Sequence, residues 1–413
     1  MNVAVLTLGT RGDVQPYVAL STGLKQAGHE VTLVTGKGFD ELVAGRGLRY
    51  VALDLDLLEL ARSPEGKAAL RSARGALRLI RQLLHTWRQM LVDEWEAAWD
   101  ADAVVYHPKA FGGYHIAEAL DVPGFLALPV PALSPTRAFP TPVLPLPNLG
   151  GALNRLSYEL FFHSSTAPYR RMINWWREHT LGLAPLSLLA SELKRDGEPV
   201  TKLYCCSQHV VPVPADWDKS SLLTGYWFLN QGSGWEPSNE LATFLEDGSP
   251  PVYIGFGSTA PDSEGSRAAA LAALKGLGRR GVLATGRSGM AGPQVIEIDS
   301  APHDWLFPRM SAVVHHGGAG TTAEGLRAGR PTAVFPSNFG DQLYWGMRAH
   351  TLGLGPKPVP QKKLTTERLA AAIRAVTENK RMRSLAEELG ERIRAENGVA
   401  RAVEIIGEVR RMS

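Results

Sequence analysis

The sequence predicts an α/β protein made of two doubly wound domains that face a shared cleft. Three observations carry this. Residues 311–342 read as strand, glycine turn, helix and strand: apolar Ala312, Val313 and Val314, the pair His315 and His316, then Gly317, Gly318, Ala319, Gly320 and Thr321, a helix to about Arg327, and a second apolar strand over 332–335. Residues 3–35 repeat the plan, with strand 3–8, the turn Gly9-Thr10-Arg11-Gly12, helix 13–27 and strand 31–35. The chain has 413 residues, of which 44% are hydrophobic and 21% charged, enough for two or three domains and a large core.

The turn over 317–320 leaves backbone N–H groups uncovered where a helix begins, a place of partial positive charge that suits a phosphate. His315 can donate another hydrogen bond to the same anion. A tight turn without a ligand is the plainer reading. The company of Asp341 and Gln342, at the edge of an α/β sheet where ligands collect, favours phosphate.

Composition narrows the class. A net charge of +3 without a basic block argues against nucleic acid as a partner. The apolar stretch 3–8 is too short for a signal-peptide core, and no run of 18 apolar residues offers a membrane span. The adjacent Cys205 and Cys206 do not suit disulfide geometry and read as small core residues of a reducing, cytoplasmic setting.

Taken in order, the turn after the first strand is G-x-x-G rather than G-x-G-x-x-G, which weakens a nicotinamide or flavin reading. Residues 50–53 form another strand. The acidic pairs Asp54/Asp56 and Asp100/Asp102 lack histidines at ligand spacing and read as solvated loop ends. A helix is expected over 68–99, a strand over 103–106, and a helix after Gly113 carrying His115 and Glu118. The proline-rich stretch 123–147 reads as a stiff apolar loop, either core packing or the wall of an acceptor pocket. Helix 154–180 and strand 203–206 follow. The second half offers helix 239–245, strand 252–256 into Gly257-Ser258-Thr259, helix 266–277, strands 281–285 and 295–298, and helices 366–378, 381–396 and 399–411. The expected limits are 1–210 for the first domain, 211–235 for the linker, 236–396 for the second domain, and 397–413 for a last helix returning to the first.

With these residues laid out, the chain resembles the inverting glycosyltransferases of the GT-B fold, two Rossmann-like domains facing a cleft. More narrowly it resembles sterol 3-β-glucosyltransferases and bacterial glycosyltransferases acting on antibiotic aglycones. The marks are GTRGDVQP at 9–16, PADW at 214–217, TGYWF at 224–228, YIGFGST at 253–259, APHDWLFPR at 301–309, HHGGAGTT at 315–322 and FGDQ at 339–342, spread over nearly the whole chain.

The resemblance implies a UDP-sugar co-substrate, UDP-glucose first, with no metal or other cofactor, and a hydrophobic acceptor (sterol, triterpenoid, flavonoid or antibiotic aglycone). His315 and the backbone of Gly318, Ala319, Gly320 and Thr321 would hold the diphosphate beside Gly317, with Ser258 and Thr259 facing it. Asp341 and Gln342 would bind the sugar hydroxyls. Arg11, Gly12, Ser300 and His303 complete the donor side, and Phe139, Trp87 and His107 the acceptor side. Plant-type members carry a tryptophan in a W-x-P-Q segment under the base. Here that segment is Ser300-Ala301-Pro302-His303, which leaves both uridine and thymidine open.

Asp13 would be the catalytic base. As a residue it equally suits a helix N-cap. It is the only carboxylate of its loop, and no histidine stands there. Two other readings keep the fold: a sugar-nucleotide epimerase, and a non-catalytic sugar-nucleotide-binding helper. A sterol acceptor would also bring the protein into peripheral contact with a membrane.

Overall fold

Strand β1 (Asn2–Leu6) is apolar at four of its five positions and buried at those four, because helices cover both faces of a parallel sheet. It lies inside a seven-stranded sheet with β2 (Glu30–Gly36), β3 (Arg49–Leu53), β4 (Ala103–Tyr106), β5 (Gly124–Leu128), β6 (Thr201–Tyr204) and β7 (Ser221–Leu223). The order is β3-β2-β1-β4-β5-β6-β7, and every pairing is parallel. The second sheet holds β8 (Val252–Gly255), β9 (Gly281–Ala284), β10 (Gly289–Gly292), β11 (Val295–Ile298), β12 (Ala312–His315) and β13 (Thr332–Val334). Its order is β10-β11-β9-β8-β12-β13, with β10 as an antiparallel edge. The chain is thus α/β with two doubly wound sheets. The computed structural model describes residues 1–56, 59–60, 63–187, 190–257, 263–337 and 340–408, without the side chains of 67, 70, 71, 73, 76, 77 and 263.

Seven helices matter to the site. They are α1 (Arg11–Gln26) after β1, α2 (Ala73–Ala98), α3 (Gly112–Ala119) after β4, α4 (Gly151–Thr166), α5 (Ala319–Arg327) after β12, α6 (Gln342–Thr351) after β13, and the C-terminal α7 (Gly398–Glu408). In each sheet the chain leaves a central strand in one direction and later resumes on its other side. The two crevices so formed lie between β1 and β4 and between β8 and β12, the places where ligands settle in open α/β sheets. α7 packs on α1, and Gly398 meets Gly225 so closely that a Cβ there would fall 2.5 Å from the Gly225 carbonyl oxygen.

Several elements differ from expectation for local reasons. The proline-rich stretch contains β5, a pure apolar run between Pro123 and Pro129. The helix expected over 68–99 is two, Pro64–Arg71 and α2. It breaks at Ser72, whose backbone is extended and whose Oγ accepts from Gly75 N–H at 3.0 Å. The helix expected over 154–180 becomes α4, a 3₁₀ turn at Ala167–Tyr169 containing Pro168, a helix at Arg170–Trp176 and a π turn at Arg177–Leu181. The plainer reading of Asp341 is a cap on a following helix, and α6 is that helix; β10 is not marked in the sequence, reading Gly-Met-Ala-Gly without apolar alternation. Within 211–235, β7 extends the first sheet by a strand of three residues.

The long loop after β5 is pinned by the PADW segment. Asp216 accepts from Thr136 Oγ1 at 2.6 Å and Arg137 N–H at 2.8 Å, while Trp217 stacks on Tyr204 and donates Nε1–H to Ser134 O at 3.2 Å. Of the acidic pairs, Asp54 meets Lys37 at 2.6 Å and Asp102 accepts from Asn2 N–H at 2.7 Å. Among the described residues no group of three or more His, Cys, Asp or Glu side chains is arranged to hold a metal ion. No described helix is long and apolar enough to cross a membrane. Cys205 and Cys206 are free and buried.

Candidate active site

Asp13 is the third residue of α1, so it reaches back over the turn as well as out into the crevice. Its Oδ2 accepts from Thr10 N–H at 2.9 Å and Thr10 Oγ1 at 3.2 Å, the geometry of a capping box. Gly9 makes room for this: its φ is +153°, and a Cβ there would fall 2.2 Å from Oδ2. The other oxygen, Oδ1, accepts from Lys109 Nζ at 2.9 Å and lies 3.7 Å from His107 Nε2. Both residues come from the loop after β4, across the first crevice.

The protonation states follow from these bonds. Lys109 N–H donates to His107 Nδ1 at 3.1 Å, so the imidazole proton sits on Nε2, towards Asp13. Burial, joined by the Lys109 cation and opposed by Asp13, pushes His107 down to about 3, and the ring is neutral. Burial also pushes the Asp13 carboxyl up, but Lys109, His107 and the Thr10 N–H outweigh it and hold the group below the usual carboxylate range.

Across the cleft, β12 ends in His315, which is fully buried. Gly317 N–H donates to its Nδ1 at 2.9 Å, which leaves the ring proton on Nε2; that nitrogen is buried and has no hydrogen-bond partner among the described residues. Burial, with His316 and His303 nearby, holds His315 well below the ordinary range, so it is a neutral donor. Gly317 has φ +93°, and a Cβ there would stand 2.7 Å from Gln342 O. Gly318 caps α5 without a side chain, so the N–H groups of Ala319, Gly320 and Thr321 have no partner within the helix.

A cavity of about 270 Å³ joins the two halves. Arg11, Gly12, Gln15 and Pro16 line one wall, and Ser300, His303, Ala319, Gly320, Thr321 and Glu324 line the other, with Phe228 and Gln231 of the linker between them. Arg11 is held by Gln15 Oε1 at 3.1 Å and Gln231 Oε1 at 2.8 Å. His303 stacks on Phe307 at 4.2 Å; burial, Arg11 and His316 push it down to about 4. Burial pushes Glu324 up to about 7 against the pull of Arg327.

Asp341 opens α6 but makes no capping bond; instead it accepts from Trp345 Nε1–H at 2.6 Å. Burial raises its pKa despite that bond. Asp13 raises it further and Lys109 lowers it, so the three charges share the cleft. Gln342 Oε1 already accepts from Ser337 N–H and Oγ, both at 2.8 Å, which leaves its amide N–H groups to offer.

The structure therefore brings Arg11, Gly12, Ser300, His303, Ala319, Gly320 and Thr321 to one cavity, and Asp13 to His107. Ser258 and Thr259 lie outside the described residues. Phe139 lies 6.2 Å from Tyr344, ring to ring, at the contact of the two halves. Trp87 sits elsewhere, in an aromatic cluster with Phe111 at 5.1 Å and Tyr169 at 5.7 Å. Sequence reasoning missed Lys109, Gln231 and Glu324. The rule that site residues follow the C-terminal ends of central strands points to Lys109, three residues beyond β4.

The chain is similar to known proteins along its whole length. Residues 3–137 match the glycosyltransferase family 28 N-terminal domain, and residues 286–409 match the erythromycin biosynthesis protein CIII-like C-terminal domain. A sterol 3-beta-glucosyltransferase of Arabidopsis thaliana is 38% identical over 420 residues, covering 98% of this chain and 67% of the relative. A second from the same plant is 37% identical over 418 residues, covering 98% and 64%. A sterol 3-beta-glucosyltransferase of Aspergillus fumigatus is 36% identical over 428 residues, but the chain spans only 30% of it. Among solved structures, the glycosyltransferase of kitacinnamycin has a TM-score of 0.73 at 19% identity, covering 98% of both chains. The glycosyltransferase VinC in complex with dTDP has a TM-score of 0.64 at 18% identity, covering 100% of both. These two share the fold of this chain.

Proposed function

The chain belongs to the sterol 3-beta-glucosyltransferase family, and on that premise we propose that it transfers a hexose, glucose first, from a nucleoside-diphosphate sugar to the hydroxyl of a hydrophobic acceptor, giving a β-O-glycoside. One observation carries the reading: two complementary half-sites face each other across one cleft. On one side stand a buried His315 Nε2–H, unpartnered among the described residues, and a helix N-terminus, which suit a diphosphate. On the other stands Asp13, held as an anion beside an oxygen that faces the crevice.

In this reading Asp13 Oδ1 takes the proton of the acceptor hydroxyl as the oxygen attacks the anomeric carbon. The bond to the diphosphate breaks on the opposite face, so an α-linked donor yields a β product. The leaving diphosphate gathers the His315 N–H and the α5 backbone, donors that need no reorientation as charge develops. Asp341 and Gln342 bind the sugar hydroxyls, the first accepting and the second donating. No metal enters, and a chelator should leave turnover unchanged. The donor base lies towards Ser300 and His303; UDP is the first choice and dTDP the alternative. In this reading the second half holds the donor and the first half the acceptor.

Sterol is the first acceptor to try, in a cytoplasmic protein touching a membrane. The exposed Leu153, Leu156 and Leu160 follow one face of α4, which gives such a contact an apolar footing. The test mixes protein, UDP-glucose or dTDP-glucose, and a sterol in vesicles. Free nucleoside diphosphate with one hexose added to the sterol is the expected result; release of diphosphate with no glycoside from any lipophilic alcohol defeats the transfer reading. Replacing the three leucines by serine should reduce vesicle co-sedimentation.

A further inference from the structure

We propose that Lys109 is a positioning residue: its ammonium holds Oδ1 of Asp13 at the cleft and yields that oxygen to the acceptor hydroxyl. The inference rests on the reading of Asp13 as proton acceptor and adds a residue to it. A carboxylate has about four lone-pair directions. The two on Oδ2 are used by Thr10 N–H and Oγ1, at 2.9 and 3.2 Å. On Oδ1 the Lys109 ammonium, at 2.9 Å, takes the strong position, and the His107 Nε2–H at 3.7 Å stands off. A hydroxyl that is to lose its proton to Asp13 must therefore come to Oδ1 and share it with Lys109 or replace it.

Lysine suits such a role. Its side chain here is half exposed, against 19% for that of Asp13, and it carries a compact charge on a flexible stem, free to swing aside. The charges facing Asp13 are Lys109 and His107 from the loop after β4, Tyr17 from α1 and Asp341 from the start of α6. Of these only Lys109 is a cation at neutral pH, since His107 is neutral and Asp341 is of like sign to Asp13. When the acceptor proton reaches Oδ1, Asp13 becomes neutral and the nearby ammonium favours its release to solvent, which restores the base for the next turnover.

The test compares wild type, Lys109→Met and Lys109→Arg, with kcat/KM measured against pH and UDP affinity measured separately. Removing the cation should raise the Asp13 pKa, so the acid limb of the profile should move up by about one pH unit or more in Lys109→Met. It should return towards wild type in Lys109→Arg, and UDP affinity should change by less than about twofold in both. An infrared titration of the Asp13 carboxyl in the resting protein, identified by subtraction of Asp13→Asn, should show the same displacement without any substrate. If no donor and acceptor turn over, the transfer reading fails, and this titration still decides the role of Lys109. An unmoved acid limb with an unmoved carboxyl titration overturns the proposal. So does a loss of UDP affinity of tenfold or more with an unmoved profile, which would make Lys109 a donor-binding cation.

Discussion

Asp13 carries two roles on two oxygens. Oδ2 closes the start of α1 through Thr10, and Oδ1 is left for the cleft. The cap and the base, competing readings of the sequence, are therefore compatible. Asp13→Asn keeps the size and an oxygen acceptor, so it should fold and bind nucleotide while transfer falls by about 10²–10⁴, the usual scale for a lost general base; near wild-type transfer would leave only the cap. His315 likewise divides its two nitrogens: its Nδ1 is used by Gly317, and its Nε2–H has no partner among the described residues. His315→Ala should lose about 10²–10³ in turnover, the scale for one donor at developing charge; a dead His316→Ala beside a normal His315→Ala would reverse the assignment. In the proposed reading Asp341 accepts from the sugar hydroxyls and Gln342 donates to them, so 3-deoxy and 4-deoxy donors should be poor, and efficient use of them would remove the sugar-binding role. At this scale much was legible. His315, the glycine turn and Asp13 stand beside their own strands. The place of Lys109 after a central strand is legible, but its pairing with Asp13 is not, because the two lie 96 residues apart and meet only once β4 pairs with β1, which hydrophobic periodicity does not specify.

Among the elements, the glycine turn and helix after β12 could be read from the chain because small residues have few other uses there, and Gly317 is required by its φ of +93°. The strands hidden in proline or glycine company, β5 and β10, could not, since their pairing comes from the finished sheet. The break at Ser72 was hidden because the apolar period continues across it. One packing contact has a measurable consequence. Glu94, on α2, is buried and accepts from Gly112 N–H at 2.8 Å where α3 begins. Burial pushes its carboxyl up to about 8 in spite of that bond. An acid whose folded pKa is raised keeps its proton in the native state at a pH where the unfolded chain has lost it. Stability from this group therefore falls as pH rises from the ordinary glutamate range to about 8. Glu94→Gln carries no titrating proton, so the decline between pH 5 and 8 should flatten in urea unfolding. An unchanged slope would mean that Glu94 is ionised in the fold.

For the molecule as a whole, the question is whether the two sheets act as one body. The cleft is tied at several points. Asp304 Oδ2 accepts from the linker N–H groups of Gln231 at 3.0 Å and Gly232 at 2.8 Å, and Arg327 Nη2 donates to Asn230 Oδ1 at 2.8 Å. Glu396 Oε1 accepts from Ser207 Oγ at 2.9 Å, Arg348 Nε–H donates to Val210 O at 2.9 Å, and α7 lies on α1. The last helix thus belongs by contact to the half from which it is most distant in sequence. With such ties, neither half can melt and leave the other's surface intact, so calorimetry should give one cooperative transition. A nucleotide that binds only the folded protein at 100 times its Kd adds about 2.7 kcal/mol, and it should move that single transition upward. The nucleotide giving the larger shift at equal concentration, UDP or dTDP, identifies the donor base, while Asp13→Asn should keep the shift and His315→Ala should lose most of it. Two transitions, with only one moved by nucleotide, would show instead that the halves unfold independently and that the ties across the cleft are too weak to couple them.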